Sequence, residues 1–170
     1  TETKKAQETV LRGAEGPILE TWEELARLTG RRYSPIEEYR TEGAKTLLLT
    51  AGTIGETASL AVDRLRERGE KVGLLKLRLW RPFPFDELRR TTSQAETVIV
   101  VDRCLSTGGP GGPMFSEVRS ALYDAEPRPR VAGFVAGLGG RDVRVADFEA
   151  MIRRAQEGMK DRFEMIGVRE

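Results

Sequence analysis

The residues able to do chemistry in this chain are few, and they gather in glycine-rich loops. Ser106–Pro113, STGGPGGP, joins an apolar run to a helical pattern that begins near Met114. Glycines in such a place let backbone amides converge at a helix N-terminus, which attracts anions. The candidate anion or interface loop is therefore Gly108, Gly109, Gly111 and Gly112. Its spacing matches neither G-x-G-x-x-G nor G-x-x-x-x-G-K-[ST], and no lysine follows. The preferred reading is a tight loop that lets the chain pack closely against a neighbour, with phosphate binding as the alternative. Just before it, Cys104 follows Arg103, a setting that can lower a thiol pKa. A nucleophile still needs a base, and the chain contains no histidine. Cys104 is accordingly read as a packing residue.

Two other loops carry arginine. In Gly137–Val143, GLGGRDV, glycines turn the chain and Arg141-Asp142 precede a helix. A local ion pair is expected there, with Arg141 at a subunit surface as the alternative and Asp142 or Asp147 as the helix cap. In Arg81-Pro82-Phe83-Pro84 each proline biases the residue before it towards extended backbone. That corner predicts a rigid strand exit in which Phe83 or Phe85 packs and Arg81 points to the loop edge. No residue is assigned a catalytic or metal-ligating role.

Composition narrows the function classes. The chain has 170 residues, 28 basic and 27 acidic, for a net charge of +1. That balance makes no electrostatic case for nucleic acid or an anionic membrane as partner. A single cysteine excludes a disulfide framework and any cysteine-ligated cluster built from this chain alone. No apolar run approaches the roughly 20 residues of a membrane span. A cytoplasmic α/β protein is expected. Since the first residue is Thr, the chain is expected to be part of something longer.

The elements that must position these loops follow from periodicity. Residues 1–14 read as a frayed helix or tail, and Ile18 to Leu28 recur at helical spacing up to Gly30. Residues 31–44, carrying Tyr33 and Tyr39, read as a connector. Thr46–Thr50 is an apolar run fit for a strand buried on both faces. Further strands are predicted at Lys71–Trp80, Thr97–Val101 and Arg130–Ala136. Helices are predicted at Glu56–Arg68, Phe85–Arg90, Met114–Asp124 and Val145–Met159. Alternating strands and helices predict a three-layer, Rossmann-like fold: a mostly parallel sheet with helices on both faces. The expected divisions are 1–44, an N-terminal helix and connector; 45–160, the α/β domain; and 161–170, a tail. Asp63, Arg64, Arg66, Glu67, Arg68, Arg153 and Arg154 read as solvated helix faces, and Trp22 and Trp80 as core or interface. In sheets of this kind, ligands and partners meet the loops at the carboxyl ends of the strands.

Three stretches in order, GTIGETASLAVDRLRERGEKVGLLKLRLWRPFP, VIVVDRCLSTGGPGGPMFSEVRSALY and FVAGLGGRDV, resemble the 2-oxoacid:ferredoxin oxidoreductases. More narrowly they resemble the transketolase-C-like domain of the pyruvate:ferredoxin oxidoreductase α subunit. TGRRYSPIEEYR resembles the segment leading into that domain. The resemblance implies an assembly that cleaves a 2-oxoacid, most commonly pyruvate, yields an acyl-CoA and reduces ferredoxin. It implies thiamine diphosphate with Mg and iron–sulfur clusters in the whole enzyme, held by other parts, so that this chain binds no cofactor. The absence of cysteine pairs and of a GDG…N pattern agrees. The length fits an excised C-terminal portion of the α subunit, as the resemblance implies. Its partners are the thiamine-binding and iron–sulfur parts, with ferredoxin and CoA met through the whole enzyme. Arg81, Phe83, Arg103 and Arg141 are the interface candidates. The alternative is a free-standing module that binds a nucleotide or CoA at the glycine loop.

Overall fold

Leu47, Leu48 and Leu49 point alternately to opposite faces of any strand they form, so both faces must be covered. The computed structural model, which describes residues 1–159 and 163–169, covers them with two helical layers. Six strands form one sheet: β1 (Ile36–Tyr39), β2 (Thr46–Ala51), β3 (Val72–Leu77), β4 (Thr97–Asp102), β5 (Arg130–Val135) and β6 (Phe163–Met165). Their order is β1-β3-β2-β4-β5-β6. All neighbours pair in parallel except β1, which runs antiparallel to β3. The register sets Leu48 between Leu74 and Ile99.

The helices are α1 (Glu2–Arg12), α2 (Glu15–Thr29), α3 (Ile54–Glu67), α4 (Phe85–Thr92), α5 (Pro113–Ala121) and α6 (Val145–Glu157). On one face Leu48, Leu74, Ile99 and Phe134 pack with Ala58, Val62 and Leu65 of α3 and Phe148, Met151 and Ile152 of α6. On the other, Leu47, Leu49, Leu75, Val98 and Val100 pack with Leu88 of α4 and Met114, Phe115 and Val118 of α5. The expected three-layer α/β architecture is the one observed.

Several boundaries differ from expectation, each for a physical reason. The predicted strand to Trp80 stops at Leu77, because the amides of Arg78 and Leu79 turn to the Pro35 carbonyl at 2.8 and 3.2 Å. The connector contains β1, which pairs with β3 although IEEY has no apolar alternation. The predicted tail contains β6, which extends the sheet beside β5 and is pinned by Arg154 to Glu164 at 2.9 Å. The sheet thus reaches beyond residues 45–160 at both edges. Asp63 and Arg66 are not merely solvated. Asp63 accepts from the Tyr39 hydroxyl at 2.9 Å and pairs with Arg40 at 2.6 Å, while Arg66 donates to the Arg40, Glu42 and Val72 carbonyls. Preceding the sheet, α1 and α2 bury no residue; Trp22 of α2 reaches Tyr33, ring centroids 6.2 Å apart.

Gly133 shows how tightly the α5 layer fits. A Cβ there would lie 2.8 Å from the ring of Phe115, which is itself fully buried. Gly133→Ala is expected to lower stability by about 1–3 kcal/mol through overpacking, read as a lower Tm. An unchanged Tm would show that Phe115 can move aside.

Candidate functional site

The parallel strands send their carboxyl ends to one edge, and strand order reverses between β2 and β4, the place where such folds bind ligands. The loops after β2, β3, β4 and β5 meet there. β4 ends on Asp102, which is 3% exposed. Its Oδ1 accepts the Met114 N–H and its Oδ2 the Phe115 N–H, each at 2.9 Å. One carboxylate thereby takes up two of the amides left free at the start of α5. Burial pushes the Asp102 pKa up, and the two amides pull against that rise.

This arrangement requires the glycines. A Cβ at Gly112 would collide with the Asp102 carboxyl group, and at Gly111 (φ 138°) one would meet the Phe115 ring at 2.9 Å. The rest of the loop closes on itself: the Ser106 amide bonds the Gly111 carbonyl at 3.0 Å, and the Gly109 amide the Ser106 carbonyl at 2.8 Å. A carboxylate, a fixed negative charge when ionised, already fills the position an anion would take. Close packing accounts for Gly112 and Gly111, and the geometry does not favour phosphate binding.

Cys104 departs from expectation in being exposed rather than packed. Its pKa is raised, first by desolvation and then by the neighbouring Asp102 charge, which agrees with the reading that it is no activated nucleophile. Arg103 does not activate it; its Nε lies over Gly137, 3.2 Å from where a Cβ would be. Arg141 does not pair with Asp142. Its guanidinium donates to the Gly167 carbonyl, and Asp142 sits 3.8 Å from Arg144. Neither aspartate is the N-cap, which is Arg144; Asp147, at the third helical position, accepts the Arg144 amide at 2.8 Å.

At the Arg-Pro-Phe-Pro corner the Arg81 guanidinium lies 5.4 Å from the Trp80 ring centroid and donates to the Trp80 carbonyl at 2.8 Å. It also makes a two-armed pair with Glu117 of α5, which raises its pKa further. Trp80 and Phe83 pack against the α4–α5 core, and Phe85 meets Phe83 edge-on at 5.0 Å while staying half exposed. Arg81 thus faces the loop edge as expected, but it is engaged by its own chain. Among the described residues no group of three or more His, Cys, Asp and Glu could hold a metal ion. No described helix is long and apolar enough to cross a membrane.

One cluster gave no sequence warning beyond its oddity. Lys76 follows Val72 and Leu74 on the α3 face of β3 and is 9% exposed. Its Nζ lies 2.9 Å from Glu56 of α3 and 3.3 Å from Glu37 of β1, and 5.7 Å from the Tyr39 ring centroid. Arg78 pairs with Glu37 as well. Burial works against both charges, but the partners win: the Lys76 pKa is raised and the Glu37 pKa lowered. A lysine at an inward position of an apolar strand was the available signal.

The sheet, parallel but for β1 and packed on both faces, makes this a three-layer α/β domain. A solved split-gene transketolase, an inactive β4 tetramer, superposes with a TM-score of 0.56 at 18% identity, covering 75% of this chain and 43% of that one. Residues 44–148 match the family model "Pyruvate:ferredoxin oxidoreductase core domain II", and the chain belongs to that family. It is 39% identical over 133 residues to a pyruvate synthase subunit PorA of Methanothermobacter thermautotrophicus, covering 78% of this chain and 33% of the relative. It is 34% identical over 171 residues to the PorA of Thermotoga maritima, covering 99% of this chain and 43% of the relative. The chain therefore spans a third to under half the length of these relatives.

Two expectations test the site's physics. Asp102→Ala leaves two buried amides without an acceptor and should cost about 2–4 kcal/mol, with faster hydrogen exchange at Met114 and Phe115. Protection equal to wild type would refute the clamp. For Lys76→Met, the stability difference from wild type should be flat near neutral pH and shrink in acid. Glu37 has a lowered folded pKa, so the unfolded chain takes up its proton first as pH falls, and the stabilisation is lost through the carboxylate range. Lys76, with a raised folded pKa, holds its contribution below the ordinary lysine value and loses it only above. A difference that persists unchanged to pH 3 would remove Glu37 from the account.

Proposed function

We propose that this chain is the scaffold and assembly domain of a subunit of a 2-oxoacid:ferredoxin oxidoreductase, with pyruvate as substrate of the whole enzyme. The observation that carries this reading is that the strand-end loops spend their polar groups internally. Asp102 takes the α5 amides, Arg81 holds Glu117, and Cys104 has a raised pKa with no histidine to activate it. What remains outward is shape and charge for neighbours. Thiamine diphosphate with Mg, the iron–sulfur clusters, and contact with CoA and ferredoxin then belong to other parts of a cytoplasmic enzyme. Membership in the core domain II family and the similarity to pyruvate synthase subunits support the assignment. Arg81, Phe83, Arg103 and Arg141 remain the interface candidates, Arg81 through the half-exposed side of its pair with Glu117. Gly108 and Gly109 shape the exposed turn of the glycine loop, while Gly111 and Gly112 hold its base.

The pure chain is expected to show no 2-oxoacid-dependent dye reduction with CoA and thiamine diphosphate. Assembled with the remaining parts of the oxidoreductase it should support turnover, equally well as Cys104→Ser. Arg81→Ala should weaken association. It should cost the isolated domain no more than about 1 kcal/mol, because its ion pair is partly exposed and screened. Turnover by the pure chain, or loss of turnover in an assembled Cys104→Ser enzyme, would sink the scaffold reading.

A further inference from the structure

A groove of about 460 Å³ opens between the last turn of α1 and the Arg-Pro-Phe-Pro corner, with α5 closing one side. Its floor is apolar: Leu11, Phe83 and Phe85, with the corner prolines. Phe85 is 47% exposed there although Phe83 lies against it, so a large aromatic surface is left uncovered. The rim is charged and unbalanced. Five carboxylates, those of Glu8, Glu15, Asp86, Glu87 and Glu117, stand against two guanidinium groups, Arg12 and Arg81.

Both arginines are already neutralised, Arg12 by Glu8 at 2.6 Å and Arg81 by Glu117. Among the described residues Glu15 and Asp86 have no ion-pair partner, and Glu87 shares Arg90 with Glu38. The nearest cation to Glu87 is Arg90, one turn along α4 at 3.8 Å, and Arg90 is itself drawn to Glu38 at 2.9 Å. Burial raises the Glu87 pKa; Arg90 and a hydrogen bond from the Ile36 amide pull against that rise, and the Glu38 and Glu15 charges add to it. An incoming cation would relieve that crowding.

The geometry points to this groove as the seat of an extended polypeptide segment from another part of the oxidoreductase, one carrying an arginine or lysine beside an aliphatic or aromatic side chain. The basic group meets Glu15, Asp86 and Glu87, while its apolar neighbour covers Phe83 and Phe85. Arginine suits such a place, since its planar face also stacks on aromatic rings. The assignment deepens the assembly reading and rests on it.

The test measures association of this chain with the remaining parts of the oxidoreductase, in low and high salt, beside melting curves of each variant. Asp86→Lys/Glu87→Lys should weaken association about ten-fold or more at about 50 mM salt, and much less at about 500 mM, where surface charges are screened. Asp86→Asn/Glu87→Gln, gentler on the first turn of α4, should weaken it by a smaller factor and guards against a fold defect in the reversed variant. Loss of affinity in both, graded by charge and erased by salt, supports the groove. If Arg81→Ala weakens association while both acidic-residue variants bind like wild type, the groove assignment falls and the assembly reading stands. If none of the three changes association, both fall. Tighter association of the lysine variant would mean that an acidic segment sits there, and overturns the proposal.

Discussion

The structure depends on the burial of β2, β3 and β4 on both faces. Strands such as TLLLTA and TVIVVD offer no face that tolerates water, so the sheet has to be roofed twice. α3 and α6 supply one roof, α4 and α5 the other. Those crossovers run from one strand end to the start of the next, which throws the β2, β3, β4 and β5 exits together at one edge. The strand-end loops are where they are because hydrophobic burial left the chain no other route.

At that edge the decisive contact is polar. Asp102 at the end of β4 holds the first turn of α5, and Gly112 leaves room for it to do so. The same pair explains the family-like glycine run without a ligand: small residues let a carboxylate reach backbone amides at the crevice where related folds admit phosphate. A domain that fills its own crevice is suited to holding neighbours in place.

The sheet edge beside β1 is held by charge where the centre is held by packing. IEEY carries two glutamates, and each finds arginine or lysine on a different element: Glu37 with Lys76 and Arg78, Glu38 with Arg90. Tyr39 bonds Asp63 on α3. The antiparallel edge strand is thereby secured to the helices above and below, and its shortness and charge blunt the outer edge that faces away from β3.

Periodicity in the sequence determined the central strands, the helices that roof them and the three-layer class, because uninterrupted apolar runs and 3.6-residue stripes report burial directly. The ordered motifs also pointed to the oxidoreductase family. What tertiary structure alone decided were contacts between residues far apart in the chain. β1 and β6 are too short and too polar to announce themselves, and exist because β3 and β5 offer them free edges. Lys76 reads as an anomaly until Glu37 and Glu56 are seen around it. Arg141 reads as the partner of Asp142 until the chain returns at Gly167. Asp102 sits in the sequence as an ordinary acid before an arginine, and its role appears only when α5 folds back twelve residues later. Local pattern encodes which residues must leave water; which polar groups then meet is set by where the packed elements bring them.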